Sequence, residues 1–340
     1  HDPEKVFVGS QFVHKTTNQG VTWDVISPDL STGDPALLMK TGGLTFDDTS
    51  PTYAAVVFAI AESPVQEGVI WAGTNDGLVQ VTRDGGGSWT NITANMPELP
   101  PLGTVSNIEP SNHAVGTAYV AVDTHQIGIF EPFLYKTTDF GANWERIDGH
   151  SGTPEMGAGL EYEATVAAGG IPTGPLSYTH VIREDPHTPG LLFAGTANAV
   201  YVSLDDGGSW ESLQSNLPHA PVHWLTIQPH FNDLVIGTYG RGFWIMDDIT
   251  PLQQMTDAVR SSDAHLFAPR DTSRFHSVGS PMSGSDPAAG RNPSPGASIS
   301  YWLSEEIAGA ADQGDAEASG EAQEMGIPGN AGTLADEMDP

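Results

Sequence analysis

Asp123 and His125 stand two residues apart, and a carboxylate beside an imidazole is a minimal unit for proton transfer or half of a metal site. A solvated loop is the plainer role for the same pair. His219 and His223 flank Pro221, and two histidines without a third ligand do not make a zinc site. With zero cysteines there are neither disulfides nor thiolate metal ligands; no metal and no cofactor is expected. Arg241 lies between Gly240 and Gly242, which would let its backbone approach a partner; an ion pair with a nearby carboxylate is the other role open to it. Gly85-Gly86-Gly87 lacks the lysine and the helix of a phosphate loop, and Asn91-Ile92-Thr93 matches a glycosylation sequon where a strand should pair. Glycoside hydrolysis requires two opposed carboxylates with room for a water. Among 43 acidic residues, spacing alone does not pick such a pair.

The elements that must position these side chains follow from a repeat. A small hydroxyl residue, an Asp or Asn two on, a Gly four on and a Trp seven on recur four times. The copies are Thr16, Asn18, Gly20, Trp23; Thr82, Asp84, Gly86, Trp89; Thr137, Asp139, Gly141, Trp144; and Ser203, Asp205, Gly207, Trp210. Successive tryptophans lie 66, 55 and 66 residues apart, room for one four-stranded sheet each. In such a turn the carboxylate accepts from nearby backbone N–H groups and glycine supplies positive φ. The tryptophan opens the next strand, lays its ring over the hairpin and needs a carbonyl for its N–H.

Strand-like runs precede each box: 54–61, 69–74 and 78–82; 105–108, 117–122 and 133–136; 178–182, 191–196 and 200–203. A last copy, 224–227, 234–238 and 243–246, lacks a box, and the first, 5–8, 12–15 and 23–26, lacks its opening strand. The expected fold is all-β: a β-propeller of four-stranded antiparallel blades over residues 1–250, about four to five of them, as a partial ring that continues upstream. A linker is expected over 251–296, the first strand of a truncated β-sandwich over 297–304, and an acidic disordered segment over 305–340.

The formal charge of −31, with 12 basic residues, argues against nucleic acid or anionic lipid as partner. The acidic, lysine-poor balance resembles proteins of salt-loving organisms; an ordinary acidic protein or one with a calcium-rich partner is the alternative. No apolar run is long enough for a membrane helix.

The stretches IAESPVQEGVIWAGTNDGLVQVTRDGGGSWTNIT, YVSLDDGGSWESLQSNLP and NDLVIGTYGRGFWIMDDITPL resemble the bacterial sortilin-like, BNR-repeat (Asp-box) propeller proteins often labelled glycosyl hydrolases. The resemblance spans about residues 1–303, and SPGASISYWL is similar to the opening of the small β-sandwich that follows that propeller. It implies a secreted or cell-envelope protein with a protein, peptide or carbohydrate ligand, and no particular reaction. A sialidase needs three converging arginines; Arg83, Arg146, Arg183 and Arg241 are those within the propeller, and Arg83 sits inside a box, which in sialidases lies away from the active site. The expected function is therefore non-catalytic binding or scaffolding, with a xyloglucanase-like hydrolase as alternative. If the boxes occupy one face, ligands meet the opposite one, built from the B-to-C and D-to-A loops. That face should hold Asn75, Asp76, Asp123, His125, Asn198, Tyr239 and Arg241, and the long connections 27–51 and 148–177.

Overall fold

The computed structural model describes residues 3–35, 55–152, 157, 169–272 and 296–305. Parts of the connections 27–51 and 148–177, most of the stretch 277–296 and nearly all of the acidic segment 305–340 lie outside the described residues. Five antiparallel sheets follow one another in chain order. Sheet I joins β1 (Val6–Gly9), β2 (Val13–Thr16) and β3 (Asp24–Val25). Sheet II joins β4 (Val57–Glu62), β5 (Ile70–Thr74), β6 (Val79–Thr82) and β7 (Thr90–Asn91). Sheet III joins β8 (Thr104–Pro110), β9 (Ala118–Asp123), β10 (Leu134–Thr137) and β11 (Glu145–Arg146). Sheet IV joins β12 (Thr179–Glu184), β13 (Leu192–Thr196), β14 (Val200–Ser203) and β15 (Glu211–Ser212). Sheet V joins β16 (Val222–Gln228), β17 (Asp233–Thr238) and β18 (Phe243–Met246). The opening strands β4, β8, β12 and β16 neighbour one another in succession, the inner row of a partial β-propeller.

The second and third strands of sheets II to IV read as near-continuous β-branched and aromatic runs because both of their faces are covered. IWAGT, AYVAVD and LFAGT are buried at every position. Layers of Trp71, Val105 and Tyr135, then Tyr119, Ile182 and Leu192, then Phe193, Val222 and Leu234 fill the spaces between sheets. Each such apolar side chain contributes roughly 1.5–3 kcal/mol.

The boxes close as their residues require. In the second, Thr82 Oγ1 donates to Asp84 Oδ1 at 2.8 Å, the Gly86 N–H donates to Thr82 Oγ1 at 3.0 Å, and Ser88 gives Asp84 its N–H at 2.9 Å and its hydroxyl at 2.7 Å. Bonds from Ser88, then from Thr82, hold the Asp84 carboxyl down at about 2. The same set recurs around Asp139 and Asp205, and in amide form around Asn18.

The box also locks one sheet to the one before it. Trp89 Nε1 donates to Ile26 O at 2.8 Å and Trp210 Nε1 to Ile147 O at 2.5 Å, both carbonyls just after the outer strand of the preceding sheet. The carbonyl that the tryptophan needs is thus supplied across the blade boundary. Trp23 turns to Gly20 O in its own box, and Trp144, whose N–H has no partner among the described residues, stands edge-on to Trp71 at 6.3 Å. Gly86, Gly141 and Gly207 press on Ile26, Ile92 and Ile147 of the preceding sheets.

A second lock sits behind sheet III. Asp148, wholly buried, accepts from Arg146 Nε at 2.9 Å, Leu134 N at 3.0 Å and His150 N at 2.9 Å. The Arg146 guanidinium lies 4.4 Å over the Phe133 ring and also donates to Gly152 O and Pro132 O.

After sheet V come α1 (Thr250–Gln253), α2 (Asp257–Arg260) and β19 (Ala264–Leu266), which pairs with β20 (Tyr301–Leu303). Within 251–296, assigned above to a linker, the described residues are packed: Leu252 joins the core between sheets IV and V, and Met255, Val259 and Phe267 form a small core of their own. Apolar residues four apart, which a glance at the proline- and serine-rich composition hides, anchor this turn of chain. No helix among the described residues is long and apolar enough to cross a membrane.

Candidate functional site

Every opening strand of sheets II to V carries a bulge near its start. The pairing skips Phe58 between Val57 and Ala59, Ser106 between Val105 and Asn107, His180 between Thr179 and Val181, and His223 between Val222 and Trp224. A bulge leaves one residue out of the ladder and re-aims its side chain. Gly73, Gly195 and Gly237 lie opposite three of these bulges. The start of an opening strand and the end of the second strand share one rim, opposite the boxes, and the bulged residues line it.

On that rim Asp123, at the end of β9, meets two imidazoles. His125 Nδ1 lies 2.5 Å from Asp123 Oδ1, with the His125 backbone N–H on the same oxygen at 3.1 Å, and His180 Nδ1 lies 3.2 Å from Asp123 Oδ2. Burial works against the Asp123 charge, but the bonds from His125 and His180 outweigh it and hold the carboxyl down at about 2. An ionised carboxylate only accepts, so both rings carry their proton on Nδ1. Each neutral ring then keeps a bare Nε2, an acceptor. His180 Nε2 is buried with no partner among the described residues. The bond to Asp123 raises His125 above its ordinary value, while burial, then His180, lowers His223.

Rings extend the cluster along the rim. His125 stacks on Tyr178 with centroids 4.6 Å apart, Tyr178 meets His180 edge-on at 5.2 Å, His180 stacks on His223 at 4.1 Å, and His223 faces Tyr239 at 5.6 Å. Phe130 closes the other end against Tyr178. Three successive sheets therefore contribute to one strip. Its outer end is open, since Tyr239 is 75% exposed. Because His180 and His223 lie flat on each other, their nitrogens do not converge, and no metal-binding group of three or more ligands occurs among the described residues.

Of the residues named from sequence, the strip unites Asp123, His125 and Tyr239. The others go elsewhere. Asn75 Oδ1 accepts from Val56 N at 3.0 Å and its carbonyl accepts from Thr104 Oγ1, so it fastens sheet II to sheet III. Asp76, 4% exposed, accepts from the N–H and hydroxyl of Thr32, both at 2.8 Å. Asn198 sits in a turn whose carbonyl faces His219 Nδ1 at 3.4 Å. Arg241 is exposed and makes no ion pair among the described residues. The remaining propeller arginines do not converge: Arg83 lies over Phe140, Arg146 is bound to Asp148, and Arg183 binds Glu109 at 2.6 Å beneath Trp224. Glu98 and Glu131 turn toward Arg146.

Residue type and spacing mark neither Tyr178 nor His180 as a site residue, and they do not place His223 beside this cluster. A signal was present. Glycine inside a strand marks a bulge or close approach, and the Gly-Thr pairs at 73–74, 195–196 and 237–238 flag the strands opposite them.

The sequence matches no known protein family, and no curated protein matches it. Among solved structures it is similar to the GH74 xyloglucanase of Xanthomonas campestris, with 20% identity and a TM-score of 0.50, over 76% of this chain and 36% of that one. It also matches a GH74 enzyme of Niastella koreensis, at 16% identity and a TM-score of 0.46 over 73% of this chain and 35% of that one. A third match is YCF48 bound to D1 peptide, at 16% identity and a TM-score of 0.37 over 57% of this chain and 52% of that one. The first likeness shows the fold, a β-propeller; this chain spans about a third of that enzyme's length.

Proposed function

We propose that this chain is part of a non-catalytic binding or scaffold propeller of the sortilin-like, BNR-repeat type, secreted or held in the cell envelope. Its ligand, a peptide, protein or carbohydrate, lies along the strip from His125 to Tyr239. One observation carries this reading: the carboxylate of the strip, Asp123, is committed to two imidazoles and held ionised, so it is spent on shaping a surface of rings and acceptor nitrogens. A general acid needs a proton to give at working pH, and a carboxyl held at about 2 has none. The division into a propeller over 1–250 and a following β-domain belongs to the same proposal.

The full chain, immobilised and exposed to a panel of β-glucan oligosaccharides and peptides, should retain one class without turning it over. Asp123→Ala should weaken that retention by about ten-fold, the worth of a charge-assisted hydrogen-bond set. Equal retention by both proteins would remove the strip from the binding surface. A hydrolase is the second reading, favoured by the Asp123–His125 contact, in which a carboxylate orients an imidazole whose Nε2 can take a proton. Steady cleavage of a β-glucan that disappears in His125→Ala would establish it over the first.

A further inference from the structure

Aromatic faces elsewhere in the chain are taken by its own arginines. The guanidinium of Arg83 lies 4.0 Å over Phe140, that of Arg146 4.4 Å over Phe133, that of Arg183 4.3 Å over Trp224 and that of Arg270 5.6 Å over Phe231. A flat cation on the negative face of a ring is what these contacts share. Among the described residues the rings of the strip carry no such cation, although Phe130 and Tyr178 are half-buried and His223 and Tyr239 are exposed.

The charge of the strip also calls for a cation. Asp123 is ionised, and its ion partners among the described residues are the two imidazoles. Arg183, on the strand that carries His180, is paired with Glu109 at 2.6 Å. Arg241, in the turn after Tyr239, makes neither an ion pair nor a ring contact among the described residues. The chain as a whole adds a formal charge of −31. A free acceptor lies at the same place: His180 is 7% exposed, its Nδ1 faces Asp123, and its Nε2 has no donor among the described residues. A buried acceptor without a donor is destabilising until one arrives. A neutral sugar would use the ring faces and leave the carboxylate unanswered, whereas a guanidinium offers a flat face, a positive charge and five N–H donors together.

We infer that the strip binds an arginine side chain of a partner peptide, its guanidinium flat against the rings at the open end, His223 and Tyr239, with one N–H given to His180 Nε2. His223 is exposed and stacked on His180 at 4.1 Å, so rotation of that one side chain uncovers the buried nitrogen. Asp123, behind His180, supplies the opposite charge at short range. The inference rests on the strip being the ligand surface, as proposed above, and selects a cationic peptide from the ligand classes named there.

The test is an NMR titration of the full chain, its histidines ¹⁵N-labelled, with the blocked pentapeptide Gly-Gly-Arg-Gly-Gly and, in parallel, its citrulline counterpart and cellohexaose. Citrulline keeps the shape of arginine and removes the charge. Saturable shifts of the His180 and His223 ring nitrogens are expected, half-complete at about 1 mM arginine peptide or below, with the citrulline peptide weaker by at least about ten-fold. Tyr239→Ala, at an exposed position, should weaken the arginine peptide about three-fold or more. Equal binding of the arginine and citrulline peptides, or binding undiminished in Tyr239→Ala, overturns the inference. Ring signals that respond to cellohexaose and not to the arginine peptide overturn it while leaving the strip a ligand surface. Silence toward all three probes overturns it together with the placement of the ligand on this strip.

Discussion

The chain with Asp148 replaced by alanine should lose about 3–5 kcal/mol of unfolding free energy, the cost of removing one partner from a buried ion pair. Arg146 would keep its place over Phe133 and its two carbonyl acceptors, but its charge would face a pocket with the nearest anion gone. The Leu134 and His150 N–H groups would lose their acceptor at the same time. Urea denaturation followed by tryptophan fluorescence measures this directly. Asp148→Asn should fall between the two proteins, because an amide oxygen still accepts one of the N–H groups. A loss under 1 kcal/mol for the alanine variant would mean that Arg146 and Asp148 are not joined in solution.

Replacing Gly86 with alanine should cost about 3 kcal/mol, summed from left-handed backbone strain and overpacking. The Gly86 φ is +106°, and a Cβ there would stand 2.4 Å from Ile26 O, the same carbonyl that holds Trp89. The backbone of sheet I and the indole of sheet II would both have to shift. Gly85→Ala makes the control: its φ is also positive, at +73°, but an added Cβ meets nothing within 4 Å. The difference between the two variants in the same denaturation experiment isolates the contact across the blade boundary. Equal losses would show that the box serves only its own hairpin.

The repeat made the fold legible because each box is local: hydroxyl, carboxylate, glycine and tryptophan lie within eight residues and bond mainly to one another. Strand positions followed from uninterrupted apolar runs, which only a strand covered on both faces can carry. The destination of the tryptophan N–H was not legible, since Ile26 lies 63 residues before Trp89 and nothing in the local pattern names it. The site was half legible. Asp123 and His125 lie only two residues apart, so their pairing is a local matter, whereas His180 and His223 reach the rim only because bulges turn them out of their ladders. Asn75 and Asp76 occupy loops of the right face, yet their side chains satisfy backbone groups of neighbouring sheets, a use that polarity and position do not distinguish from ligand binding. Arg241 shows the converse case: in a chain so rich in carboxylates an ion pair was the natural expectation, and its exposed turn brings none within reach among the described residues.

The bonding of Asp123 to imidazoles from sheets III and IV is what the functional reading stands on, and proton linkage makes it measurable. Asp123 is depressed, so its bonds stabilise the fold above the ordinary carboxyl range and are lost as pH falls toward about 2. His125 is raised, so its share is present below its ordinary value and disappears as pH climbs through the raised one. Long-range ¹H–¹⁵N NMR of the imidazoles across a pH titration reports both the tautomer and the pKa of each ring. The expected result is His125 and His180 both protonated on Nδ1, His125 titrating above its ordinary value, and a fall in that value when Asp123→Asn is introduced. Rings protonated on Nε2, or a His125 titration indifferent to Asp123, would contradict the arrangement.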